Sequence, residues 1–215
     1  MKREDVGFMV IMGGIIFLLV LPMTSQAFFS WSEQYQIIGG FLKFFVLASL
    51  GDLLSCRLKA GHYRVKGLLF KAIVWGFIGV VIVFVFPIFS QGVAFLQRDG
   101  LLPFEASVFF QAFFTSLFMN LIFAPTMMLF HRVSDHYIEQ KIADRHHQLK
   151  TTLAAIDFRG FVSFVLFKTI PLFWIPAHTI TFILPTTYRV FFAAVLGIAL
   201  GLLLGIGTRK KRSDA

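Results

Sequence analysis

Four ionisable residues stand well inside stretches that otherwise read as hydrocarbon: Lys43, Asp52, Lys168 and His178. A charge at the centre of a bilayer costs roughly 3 kcal/mol on insertion scales, so such residues face other protein or water and mark functional positions. Asp52 and Lys168 each lie about five to seven residues from the same end of their apolar runs, roughly 8–10 Å deep at 1.5 Å per residue. A direct or water-mediated pair between them would lower the cost of both, so contact between the second and fifth apolar runs is expected. The alternative is that each side chain snorkels to the interface. Lys71 begins its run and is expected to snorkel, while Lys43 either lines a cavity or reaches outward.

The segment Lys168–Arg189 carries the densest set of such features. Pro171 and Pro176 remove two backbone donors and push away the carbonyls four residues earlier, which kinks a helix. Trp174, His178, Thr179 and Thr181 flank the break, and interrupted helices are a common way to build a solute site in transporters. The competing reading is a structural kink whose hydroxyls bond their own backbone. Asn120, with Gln111, Thr115 and Ser116, adds polar groups to the fourth run, either lining a pathway or bonding neighbouring helices. The His131-Arg132…Asp135 cluster is a solvated helix end or a vestibule. Gly197, Gly201 and Gly205 recur every fourth residue and mark a face for close helix packing or oligomerisation.

These residues hang on long apolar elements. The 215-residue chain is 57% hydrophobic, contains 29 Phe and is 14% charged, against about 25% in soluble domains. Its net charge of +9 comes from Lys and Arg in breaks between apolar runs, as topology signals do, and not from a nucleic-acid-binding face. The single cysteine, Cys56, excludes an intrachain disulfide. Six runs are expected to span a membrane: 6–23, 36–56, 68–90, 106–130, 160–184 and 190–206. For the first, a cleaved signal peptide ending near Ser25-Gln26-Ala27 is the alternative to a retained helix. The segment 131–159 carries a short amphipathic surface helix around Tyr137. Basic residues cluster at 57–66, 132–159 and 209–212, and the opposite breaks hold only Arg98 and Arg189. The positive-inside rule therefore places both termini in the cytoplasm.

Gly51-Asp52-Leu53-Leu54-Ser55, followed far downstream by Trp174…Pro176…Phe182…Pro185…Tyr188-Arg189, resembles the signature segments of the Mpv-type family of mitochondrial and peroxisomal membrane proteins and their bacterial relatives. The likeness covers roughly residues 40–207. Ile175 separates Trp174 from Pro176, and His178, Thr179 and Thr181 stand where that family carries Gln and Asn. The resemblance implies a small multi-pass protein of that class, a weakly selective or non-selective channel linked to inner-membrane solute homeostasis.

The expected architecture is thus an all-α polytopic membrane helical bundle forming one domain over 1–215. The expected function is a channel or transporter for a small solute in a bacterial cytoplasmic membrane, or alternatively an organellar one. Its pathway would be lined by Lys168, Trp174, His178, Thr179, Thr181, Asp52, Lys43 and Asn120, with Pro171 and Pro176 as the kink. Lys43, Lys168 and His178 favour an anionic permeant. The chain carries no nucleophile elbow, zinc-protease histidine pair or phosphate-binding loop, and no catalytic residue, metal or cofactor is expected. Its partners would be the lipid bilayer, the solute and a homo-oligomer, not nucleic acid. The other class is a non-transporting scaffold or assembly factor that binds proteins through the glycine face and the basic loops.

Overall fold

A computed structural model describes the backbone of residues 3–213 and the side chains of residues 3–202. It is all-helical, with no strand among the described residues. α1 (Arg3–Val20) stops where Leu21 goes extended ahead of Pro22, which fits the first turn of α2 (Pro22–Gln34) because its missing N–H has no partner to lose there. The two helices meet at 87°. The first apolar run therefore ends at Val20 and does not continue straight to Met23. α3 (Gln36–Ala60) ends on Gly61, held at φ 79°, a left-handed conformation that costs glycine nothing. α4 (Leu68–Arg98) continues through Pro87 and well past the break expected at Gln91.

α5 (Val108–Ile122) and α6 (Ala124–Ala143) bend by 47° at Phe123, just before Pro125. The fourth apolar run is thus two helices. The stretch around Tyr137, expected as a separate surface helix, is instead the end of α6. It docks on the start of α4, where a Cβ on Gly67 would fall 2.5 Å from Ile138 Cγ2. After the short α7 (Leu149–Ala155) and α8 (Phe158–Gly160), the chain winds as a π-helix over Phe161–Trp174, referred to below as the π-segment. It returns to α pitch in α9 (Ile175–Ile183). Pro171 lies inside the π-segment, and Pro176 takes the first turn of α9. α10 (Thr186–Ser213) begins after Pro185.

Among the described residues, three helical spans are long and apolar enough to cross a membrane: Gln36–Ala60, Leu68–Arg98 and Phe158–Ile183. The count is up to five if each bent pair is one span, and Thr186–Leu202 is a further, shorter apolar helix. The core packs Phe44 and Leu47 of α3, Ile82 and Phe86 of α4, Met119 of α5, Phe182 of α9 and Ala194 of α10. α3 lies at its centre, between α4 and α10. The π-segment packs on α5 and α6, and no extended contact joins it to α10 among the described residues. The gap between them, backed by α3, is a cavity.

Candidate functional site

This cavity has a volume of about 510 Å³, within the range of about 300–1,000 Å³ usual for small-molecule sites. On α3 it extends from Phe44 to Lys59, fifteen residues or about 22 Å at 1.5 Å per residue. Its middle is polar. Asp52 Oδ2 accepts a hydrogen bond from Trp75 Nε1 at 2.9 Å. The Trp75 ring lies 4.1 Å, centroid to centroid, from that of His131, and His131 Nε2 is 3.7 Å from Asp135 Oδ1. Lys71 Nζ, only 4% exposed, holds Asp135 at 3.2 Å and Glu139 at 2.6 Å. The carboxylates stand one turn apart on α6, so one ammonium bridges both and ties α6 to α4. Lys71 therefore does not snorkel; partners on a neighbouring helix hold it inside.

The deep end belongs to α5 and α9. His178 stacks on Trp174 with centroids 5.1 Å apart. Asn120 Nδ2 donates to Ser116 O at 2.9 Å and lies 3.1 Å from His178 Nδ1. Asn120 Oδ1 lies 3.3 Å from the same nitrogen, so Nδ1 accepts or donates according to the tautomer. Ser116 Oγ donates to Ile175 O at 2.7 Å, a carbonyl at the junction where π pitch gives way to α pitch. Proline-bearing spans need such outside donors or acceptors to satisfy the backbone. Opposite, Gly197 and Gly201 of α10 line the cavity and press on α3: a Cβ on Gly51 would lie 3.2 Å from Gly197 C, and one on Gly201 would lie 3.2 Å from Gly51 O. The surroundings of Gly205 lie outside the described residues.

Of the residues singled out in the sequence, Asp52, Trp174 and His178 line this cavity, and Asn120 stands directly behind His178. Thr179 and Thr181 turn inward: their hydroxyls donate to Ile175 O at 2.8 Å and Ala177 O at 2.9 Å, one turn back on their own helix. Lys168 is exposed on the π-segment and borders no cavity described here. The expected Asp52–Lys168 contact does not form. Asp52 is held by Trp75, and the i→i−5 pitch of the π-segment changes which residues face inward from those an α-helix would present. Trp75, His131 and Arg132 are additions to the site, and Lys71 stands behind its Asp135 and Glu139. Nothing in the sequence says that Lys71 answers Asp135 and Glu139.

Lys43 lies in a second, smaller cavity of about 170 Å³ beyond Phe86. Phe86 lines that space and also packs edge-on against His178, with centroids 6.1 Å apart. Among the described residues, no group of three or more His, Cys, Asp or Glu could hold a metal ion. No protein-family model, curated protein or solved structure matches the chain.

Proposed function

We propose that this protein is a small multi-pass membrane channel or transporter that carries a small solute through the space bounded by α3, α4, α6, the π-segment, α9 and α10. The observation that carries this reading is the stacking of the two cavities along α3. The larger starts at Phe44 and the smaller at the neighbouring Lys43, continuing to Gln36. Together they follow the 24 residues from Gln36 to Lys59, about 35 Å at 1.5 Å per residue, against a hydrocarbon core of about 30 Å. Phe86, with Phe182 at 4.9 Å, interrupts the route. An aromatic constriction between two hydrated ends is a gate by geometry and by dewetting.

In this reading both bent pairs are single spans and Thr186–Leu202 is a sixth, with both termini cytoplasmic. Support comes from which ends meet. Asp5 of α1 takes a bidentate bond from Arg57 at the end of α3, at 2.6 and 2.8 Å, and the start of α4 meets the end of α6 through Lys71. The start of α3 and the α9–α10 turn meet at the other end, around the smaller cavity. The basic breaks at 57–66 and 132–159 thus share a side, and the larger cavity opens there beside Lys59 and Arg132. The resemblance to the Mpv-type family points to the same class. The scaffold reading is weaker, because Gly197 and Gly201 are already covered by α3 of the same chain.

Proteoliposomes provide the test. The wild type is expected to release trapped small ions faster than protein-free vesicles, Phe86→Ala to release them faster still, and His178→Ala to change the rate. Vesicles that stay sealed with both wild type and Phe86→Ala would overturn the reading.

A further inference from the structure

The smaller cavity is built for a different task from the larger one. Lys43 lies on its wall, 7% exposed, with no hydrogen bond or ion pair among the described residues; its ammonium stands 5.8 Å over the Phe28 ring. A cation–π contact offsets only part of the cost of a cation withdrawn from water. Beside it, Ser32 Oγ is buried with no partner. The Arg189 guanidinium is fixed by bonds to Leu184 O and Phe182 O, both 2.9 Å, which occupy two of its five donors. Thr186 and Thr187 open the 28-residue α10 on the same wall, where first-turn N–H groups lack intrahelical acceptors and the helix dipole is positive. The one carboxylate on this wall, Glu33, is engaged by the Thr187 hydroxyl and acts on Lys43 through its charge alone, beyond ion-pair distance. Two cations and one anion leave the wall one positive charge in excess, with idle donors converging from α2, α3 and α10.

We propose that this cavity binds a small oxyanion of the phosphate or short-chain carboxylate class, held between Lys43 Nζ, the free Arg189 donors and the first turn of α10. Its volume of about 170 Å³ lies below the roughly 300 Å³ at which drug-sized ligands begin to fit, so the group bound is an anion or an anionic head and not a nucleotide. Binding is independent of the transport reading. Only the further statement, that the site is where an anionic solute waits outside the Phe86 constriction, rests on it.

The experiment titrates inorganic phosphate into the full-length protein in phosphatidylcholine nanodiscs, by calorimetry. Saturable binding is expected, weakened about tenfold or more in Lys43→Met, as loss of one charge-assisted hydrogen bond predicts, and kept in Lys43→Arg. A second measurement avoids reliance on the variants: phosphate should slow acetylation of Lys43 in the wild type, read by peptide mass spectrometry. If free phosphate fails on both counts but phosphatidylglycerol in mixed nanodiscs is retained in a Lys43-dependent way, the anion is a lipid headgroup and the site stands. If neither probe depends on Lys43, the proposal falls. Sealed liposomes with intact phosphate binding would remove the transport reading and leave the site, and anion-independent flux without binding would do the reverse.

Discussion

Where α3 meets α4 and α10, backbone touches backbone; on the other side of the cavity the π-segment touches little beyond α5, α6 and its own flanking helices. Half of the apolar stretch of Gln36–Ala60 is buried inside the protein, against 17% of that of Phe158–Ile183. Close approach in lipid needs small residues, because association there depends on van der Waals fit and not on expelling water. α3 meets that need twice, with Gly40 against Gly79 and with Gly51 against Gly197 and Gly201. The π-segment has no glycine between Phe161 and Trp174. It is held mainly at its α9 end, through Ser116, Asn120 and His178. One wall is therefore closely packed and the other loosely held, a contrast that the proposed transport would use.

The contrast breaks most sharply at Gly79. A Cβ there would lie 2.3 Å from Gly40 O and 2.8 Å from Phe44 Cβ, and a backbone carbonyl cannot swing aside. Gly79→Ala is expected to cost about 3 kcal/mol, measured as a lowered unfolding midpoint in detergent. The same change at Gly51, whose nearest contacts are at 3.2 Å, should cost visibly less. Equal effects at the two positions would mean that α4 does not sit against α3 as described.

Next in size is Lys71→Met. Breaking a fully buried pair costs about 3–5 kcal/mol. Here Asp135 and Glu139 keep 27% and 45% of their side-chain surface exposed, so solvent takes up part of the loss and about 1–2 kcal/mol is expected. Adding Asp135→Asn and Glu139→Gln to that background should restore most of the stability. If the triple variant is no better than Lys71→Met alone, the bridge is not what ties α6 to the frame.

How far this frame could be read from the sequence differs from residue to residue. Helical, membrane-type architecture followed from run length and charge spacing, and Asp52 stood out because a carboxylate in hydrocarbon must be answered. Its answer, the Trp75 indole, carries no charge, so reasoning by charge balance paired Asp52 with Lys168 instead. The glycine spacing of α10 was plain, but spacing cannot say which helix fills the groove. The π pitch left no trace beyond Pro171. Because that pitch resets which side chains face inward, Lys168 fell outside the site while Thr169 entered it.

A smaller effect sharpens the hinge between the walls. Ser116→Ala removes the donor that α5 offers to Ile175 O. The carbonyl keeps the Thr179 hydroxyl at 2.8 Å, so no orphaned acceptor is created and the loss should be about 0.5–1 kcal/mol. Double substitution with Thr179→Val strips both side-chain donors but leaves the carbonyl its backbone bond within α9, so the two losses should add to within about 0.5 kcal/mol, and a thermal-melt cycle measures the difference. A loss well above the sum would show that α9 does not hold this carbonyl in its backbone ladder.

The smallest expected effects fall on the loosely packed wall. Phe167 and Leu172 are 74% and 78% exposed. If lipid covers them, truncation exchanges one apolar contact for another, and Phe167→Ala and Leu172→Ala should stay within about 0.5 kcal/mol of wild type. That near-silence is informative because the alternative is specific. A second copy of the chain packed on this face would bury both side chains, and their removal would then open a cavity costing about 2–5 kcal/mol each. The loss would vary with protein concentration in the micelle, since dissociation would be coupled to unfolding. A concentration-independent melt in both variants would leave the π-segment facing lipid, free to move against α10. A concentration-dependent one would make it half of an interface, and the closely packed wall and the loosely held one would have to exchange roles.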